Sequence, residues 1–445
     1  LAEPPWIALC QGKVCAITDR LEWLKDNRGR RLAILTMQWL AELAICPRRV
    51  RMNDPLLLTF NTGSSTVKIG IFKLEQQTPK RIGKAVVDIS DRPLTLDLAK
   101  GPARLNLPLK TGADDDLAAL MKEVFCTLAA HFDLDNVVAA GHRIVHGGNL
   151  FDGPARINDQ TMERMRSLVD MAPLHQPQAL RLVRAVTHLR PKLLQTASFD
   201  TTFHSTQTDL VRRFAIPRAF HDQGIKRYGF HGLSFRYVAR ALTERAPEIA
   251  DGKVIIAHLG SGASLCAIER GKSCDTSMGF STLDGIPMAK RPGAIDPGVL
   301  LHLIGPLGKT RAELEDILYH RSGLLGVSGL SGDTRELLKD NSRQAREAIE
   351  LFILRVAGEI GRLTSTLGGL NGLVFTAGIG ENQPDIRAGI ASRLLWLGAE
   401  LDEHANRRNA LAISTQASRI AIHVIPTDEE QMIAEECLSI FSPGG

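Results

Sequence analysis

The chain has 445 residues, 44% of them apolar and 23% charged, with a net charge of +5; this size and balance suit two or three soluble domains with sizeable cores. No run of eighteen or more apolar residues occurs, which argues against a membrane span. Residues 1–51 hold nine Lys/Arg against five Asp/Glu, so the remainder is nearly neutral and nucleic acid is not an expected partner.

The seven cysteines are odd in number and include no CxxC pair. That pattern argues for reduced thiols in a cytoplasmic protein and against a zinc site or a disulfide frame. Residues 1–54 differ from the rest. They carry Trp6, Trp23 and Trp39, and two helical patterns around 19–26 and 31–45. They read as an N-terminal extension, either upstream of a misassigned start with Met52 as a plausible true start, or an accessory helical segment, with a targeting peptide the least expected.

From Leu56 onward, strand and helix patterns alternate. Strands are expected at 56–61, 66–73, 136–140, 195–200, 253–258, 263–269, 372–377 and 421–425. Helices are expected at 114–131, 158–170, 177–188, 234–245, 296–304, 310–318, 342–367 and 428–440. This predicts an α/β fold. Two segments repeat one design, strand, Gly/Ser turn, strand: Leu57–Phe72 around "NTGSST" and Val254–Glu269 around "HLGSGAS". The repeat points to a duplicated fold holding phosphates between its halves.

The nucleotide loops most often met in sequences are missing. Gly271-Lys272-Ser273 looks like the end of a Walker A loop, but Cys266 stands where that loop needs glycine. "GLVFTAGIGENQPDIRAGI" (Gly372–Ile390) reads instead as a buried strand, a Gly-Ile-Gly turn and a helix capped by Asn382, with Pro384 in its first turn. Exposed N–H groups at such a turn attract anions. Arg143 and Arg291 stand in Gly/Pro-rich turns, where a guanidinium grips carboxylate or phosphoryl oxygens in a planar fork. Asp200 ends a strand, where functional groups of open α/β sheets collect. His142 and His146 are spaced HxxxH on a strand and turn, not on a helix, so a zinc pair is not expected.

In order along the chain, "FNTGSSTVK", "GHRIVHGG", "APLHQP", "FDTTFH", "RYGFHGLS", "HLGSGAS", "DTSMGFSTLDGIPMAKRPGAIDPG", "SGLLGVSGLSGDTRE", "FTAGIGEN" and "IPTDEE" resemble the acetate kinase family. The resemblance runs from about Leu56 to Ile433. It implies duplicated actin-like (ribonuclease H-like) domains with ATP in the cleft between them, and a homodimer. Domain I would span 55–203, completed by 426–445, and domain II 204–425. It implies Asn61 and Glu429 at a Mg²⁺ ion, with Mn²⁺ as an alternative; Glu430 is adjacent, and only the alignment of "PTDEE" selects Glu429. Ser64, Thr66 and Lys68 would lie near the transferred phosphate. Arg143 and Arg291 would clamp substrate and phosphoryl group, Asp200 would be the catalytic aspartate, and His231 the transition-state donor. Val145, Leu174, Phe230 and Thr282 would form the acyl pocket. His258, Leu259, Gly260, Ser261 and Gly262, then Asp333, Thr334 and Arg335, then Gly378, Ile379, Gly380, Glu381 and Asn382 would bind ATP.

The implied reaction is acetate + ATP ⇌ acetyl phosphate + ADP, by direct in-line transfer. A small carboxylate is already ionised near neutral pH and needs no strong base. The demand is for positive charge in line, where an arginine contributes ~10³–10⁵ in rate. Four positions depart from the family pattern: Phe235 for a histidine, Ser261 for an asparagine, Lys290 in "MAKR" and Thr282 for a proline. They keep propionate, or another short-chain carboxylate, as the rival substrate. A non-catalytic actin-like nucleotide-binding protein is the rival from another class.

Overall fold

The chain divides between residues 53 and 54, and the second unit, 54–445, is compact. The computed structural model describes residues 55–63, 66–75, 78–88, 93–112 and 117–441, all within the second unit. The expectations for residues 1–54 and for Ser64 lie outside the described residues.

The strands are β1 (Leu56–Thr62), β2 (Thr66–Glu75), β3 (Thr78–Asp88), β4 (Thr95–Lys100), β5 (Ala103–Pro108), β6 (Val137–Ile144), β7 (Ala155–Arg156), β8 (Leu194–Phe199), β9 (Lys253–Leu259), β10 (Ala263–Glu269), β11 (Lys272–Thr276), β12 (Gly372–Thr376) and β13 (Ala421–Val424). The helices that bear on the site are α1 (Leu117–Ala129), α2 (Asp159–Arg166), α3 (Gln176–Leu189), α4 (Gly232–Arg245), α5 (Pro297–Ile304), α6 (Arg311–His320), α7 (Thr334–Leu337), α8 (Arg343–Leu367), α9 (Ala377–Asn382), α10 (Pro384–Ser392) and α11 (Glu429–Phe441).

Among the described residues two sheets form, in the orders β5-β4-β3-β2-β1-β6-β8-β7 and β11-β10-β9-β12-β13. In the first, β1, β2 and β3 form an antiparallel meander, and β6 and β8 continue parallel to β1. In the second, β9, β10 and β11 form the same meander, and β12 and β13 continue parallel to β9. Each half therefore has the order third, second, first, fourth, fifth with the same strand directions. That identity establishes the duplicated actin-like architecture more firmly than two similar hairpins could.

Burial explains why the central strands read clearly. Val254 to Leu259 are buried without a break, as expected for a strand covered on both faces. The 25-residue α8 is capped by Ser342, buries Ala348, Phe352, Val356, Ile360 and Leu363 along one stripe, and ends at Gly368 with φ 65°. The last helix, α11, returns to the first sheet and packs on β1, β6 and β8. Its Ala434 and Cys437 join Leu57, Phe72 and Ala139 in one core cluster. Gly141 in β6 permits this approach, because a Cβ there would lie 2.7 Å from the Ile433 side chain.

Candidate active site

Strand ends from both sheets open onto one cavity of about 530 Å³. The first sheet supplies Asn61 from the end of β1, Arg143 from the end of β6, and Lys68 and Lys84 from β2 and β3. The second supplies His258 at the end of β9, the Gly260-Ser261-Gly262 turn, and Ala377 and Gly378 after β12. His231 precedes α4, Arg291 lies in a loop, and Glu429 and Glu430 open α11. The arrangement follows from topology: parallel strands that begin together end together, and their loops gather at the carboxyl ends.

The two arginines have different tasks. Arg143 donates through Nε to both Asp200 oxygens at 3.0 and 3.1 Å and through Nη2 to Asp200 Oδ2 at 2.6 Å. Its Nη1 donates to Asn61 Oδ1 at 2.9 Å and lies 3.6 Å from Glu429. Burial disfavours its charge, but Asp200 and Glu429 outweigh that and raise its pKa above the usual arginine value. Asn61 in turn donates to Glu429 at 2.8 Å and to Glu430 at 2.9 Å. Burial works against the Glu429 carboxylate, but Arg143, His258 and Lys68 hold its pKa at about 2.

Arg291 is half-buried, as Arg143 is, yet among the described residues its hydrogen bond goes to a neutral acceptor, the Thr282 carbonyl at 2.8 Å. Burial lowers its pKa to about 10, so it remains charged at neutral pH. A Cβ placed on Gly262 would sit 2.7 Å from Arg291 Nη2 and 3.4 Å from His231 Nε2. Both side chains therefore converge on the Gly260-Ser261-Gly262 turn of the second hairpin.

His231 adopts a left-handed backbone, φ 56° and ψ 24°. Its ring stacks on His258 at a 4.3 Å centroid separation, and its Nδ1 lies 2.8 Å from Ser264 Oγ. Burial, followed by His258, Arg143 and Arg291, drives its pKa well below 6.5. The ring is therefore neutral at neutral pH. The contact of Nδ1 with Ser264 leaves Nε2 on the side of Gly262 and the cavity.

A second cavity of about 620 Å³ adjoins the first and shares Gly260, Ser261 and Gly378 with it. Asp333, Thr334, Arg335, Ile379, Asn382 and Lys290 line it. Asp333 caps α7 through Arg335 N at 2.8 Å, and the Arg335 guanidinium folds back onto the same carboxylate. A side cavity of about 10 Å³ lies between Leu174, Phe230, Thr282, Tyr319 and His175, a size that holds one water-sized group.

The structure brings most of the expected residues together, with differences. Asp200 is 1% exposed, lies behind Arg143 and does not line the cavity; burial raises its pKa while Arg143 pulls the other way. Leu259 does not face the cleft; alternation along β9 turns its side chain into the core. Gly380 is buried, and its carbonyl accepts from Arg387 at 2.8 Å. Asn382 is not a helix cap, because α9 begins directly after β12 at Ala377 (φ 65°); Asn382 ends it and donates to Gly378 O at 3.0 Å. Pro384 does open the next helix. Glu381 accepts from the Ala377 and Thr427 amides, tying the loop before α11 to the start of α9. Thr66 and Lys68 line the main cavity; Val145 does too, apart from Leu174 and Thr282 at the side cavity.

Further residues line the site, His175 and Lys84 among them, and Glu430 joins its neighbour Glu429 there. His175 touches both the main and side cavities, and burial lowers its pKa to about 4. Its signal was the motif "APLHQP", whose single loop histidine shows no periodicity. Glu430 shares Asn61 with Glu429, and Lys84 enters from β3, a strand without regular apolar alternation in its sequence.

The Acetokinase family matches residues 56–435. An acetate kinase of Rickettsia akari is 41% identical over 391 residues, covering 88% of this chain and 100% of that protein. An acetate kinase of Nitrobacter hamburgensis is 44% identical over 388 residues, covering 86% and 96%. Among solved structures, a propionate kinase from Francisella tularensis matches with a TM-score of 0.81 at 34% identity, covering 86% of this chain and 99% of that one. An acetate kinase from Porphyromonas gingivalis matches with a TM-score of 0.78 at 31% identity, covering 87% and 100%.

Proposed function

The chain belongs to the acetokinase family, and from that premise we propose that it moves a phosphoryl group reversibly between ATP and acetate, giving acetyl phosphate and ADP. The observation that carries this reading is Arg291, a half-buried cation bonded to a backbone carbonyl and set against the Gly260-Ser261-Gly262 turn. Such a group is preorganised for an anion supplied from outside.

Acetate arrives as the anion and attacks the γ-phosphorus in line as ADP leaves. Arg291 and the Nε2–H of His231 donate to the oxygens of the transferring group, where charge spreads in the transition state. Arg143 is already committed to Asp200 and Asn61, so it supplies a fixed positive wall, and Asp200 positions it. The shared turn of the two large cavities takes the phosphates, and the Asp333–Arg335 side takes the nucleoside. Glu429, with Glu430 and Asn61 beside it, suits Mg²⁺, or Mn²⁺, which is commonly held by one or two carboxylates together with substrate phosphates. When bound, such an ion neutralises phosphate charge.

We assign domain I to 55–203 completed by 426–445, and domain II to 204–425; the two sheets and the return of α11 support this division. A homodimer is part of the same proposal. Its support is α5, where Val299, Leu301 and Ile304 are exposed. Charge balance favours no nucleic-acid partner, and among the described residues no helix is long and apolar enough to cross a membrane.

Propionate is the second reading, favoured by the similarity to the Francisella tularensis propionate kinase. The 10 Å³ side cavity favours the shorter acid. One methylene discriminates only ~10–200-fold, so the test is kinetic. Acetyl, propionyl and butyryl phosphate are trapped with hydroxylamine, and kcat/KM should fall in that order. A higher kcat/KM for propionate overturns acetate as the preferred substrate.

A further inference from the structure

His204 lies in "FDTTFH", is 1% exposed, and has no part in the chemistry described above. Its Nε2 is 3.0 Å from the Phe230 carbonyl oxygen, which can only accept, so Nε2 carries the ring proton. Its Nδ1 is 2.9 Å from Ser273 Oγ, and Gln207 Nε2 donates to that same oxygen at 3.0 Å. Donation therefore runs one way, from Gln207 to Ser273 to His204 to the Phe230 carbonyl. Burial lowers the His204 pKa to about 4, which keeps the ring in this neutral form.

The Phe230 carbonyl belongs to the peptide that joins Phe230 to His231. With the next amide, Gly232 N, held by Asp200 O, fixing that plane restrains the φ of His231, which is 56° and lies in the region L-residues avoid. The neighbouring backbone is held as well. Gly229 N donates to Gly279 O at 3.3 Å, and Gly232 N donates to Asp200 O at 3.0 Å. Gly229, at φ 78°, lies flat against the His204 ring, where a Cβ would come within 2.5 Å.

We propose that His204 is a positioning residue for phosphoryl transfer: through the Phe230 carbonyl it holds His231 in its left-handed conformation, so that Nε2 of His231 faces the transferring group beside Arg291. The inference rests on the carboxylate-kinase reading of the cleft. His204 touches neither substrate nor nucleotide compartment. Its loss should therefore affect turnover and leave ground-state binding unchanged.

The test compares His204→Phe, which fits among Phe203 and Phe235 but donates nothing, with His204→Gln, whose amide restores a donor near the Nε2 position. Thermal melting shows that each variant is folded. His204→Phe should lower kcat by roughly 10–100-fold, the scale of a 1 Å misplacement, with KM for ATP and acetate within about twofold. His204→Gln should recover most of the loss. If His204→Phe does not fold, Ser273→Ala is the second variant; it removes the donor to Nδ1 and should lower kcat by several-fold in the same way. Wild-type-like kcat in a folded His204→Phe or Ser273→Ala protein overturns the proposal, as does a folded His204→Gln protein as slow as His204→Phe. A wild-type protein that makes no acyl phosphate refutes the underlying reading instead.

Discussion

Arg143 stands at the end of β6 and Arg291 in a loop, and their surroundings give the two arginines opposite roles. The N–H groups of Arg143 are taken up by Asp200 and Asn61, whereas Arg291 meets a neutral carbonyl. Sequence identifies both as anion-gripping candidates but does not say which one has a carboxylate behind it. The same limit applies to Asp200, which sits at a strand tip as expected yet faces Arg143 and not the cavity. Glu429 is the residue whose role is most open to direct measurement. Its pKa near 2 keeps it ionised across the physiological range. Glu429→Gln removes a charge from the metal side while keeping the hydrogen-bonding shape. The half-saturating Mg²⁺ concentration should rise by about tenfold or more, measured as acyl phosphate formation against free Mg²⁺. An unchanged Mg²⁺ dependence would remove Glu429 from that role.

At the scale of elements, α4 begins where β8 ends. Gly232 opens α4 against the Asp200 carbonyl, and an added Cβ would lie 2.0 Å from that oxygen. Backbone on both sides leaves no flexible atom to yield. Gly232→Ala should therefore push His231 and Asp200 apart, destabilise the fold by about 1–3 kcal/mol, and lower turnover more than ATP affinity. Chemical denaturation and steady-state kinetics on one preparation check both parts.

The elements legible in sequence share one physical feature, a continuous or strictly periodic apolar pattern. The hairpins β1–β2 and β9–β10 and the amphipathic α8 read correctly for that reason. β3 escaped notice because Pro79, Gly83 and the cations Lys80, Arg81 and Lys84 interrupt its alternation. β5 is an edge strand with Ala103 to Asn106 exposed, so nothing forces an apolar face. At Gly378-Ile379-Gly380 two glycines suggested a turn, whereas the chain enters α9 at once from a strained Ala377. Tertiary context, with Glu381 bonded back to the Ala377 amide, outweighs the local glycine preference.

At the scale of the whole molecule, burial of histidines links the cleft to stability. His142, His146, His175, His204 and His258 are each held by burial at about 4, below the ordinary 6.5. Between those values the unfolded chain binds more protons than the folded one, so stability falls as pH drops from about 6.5 toward 4 and gains nothing from these groups above 6.5. Denaturation midpoints measured from pH 8 to 4 should be level on this account above about 6.5 and decline below it. Midpoints that stay level down to pH 4 would contradict it.

The duplicated sheets bring two sets of strand ends to one cavity, and the proposed chemistry depends on a cation from the second half acting on an anion held there. Arg291→Ala tests this most directly, measured as hydroxamate-trapped acetyl phosphate beside equilibrium ATP binding. The account predicts a fall in acetyl phosphate formation of ~10³-fold or more, with ATP affinity retained. Turnover within a few-fold of the unaltered protein would contradict it.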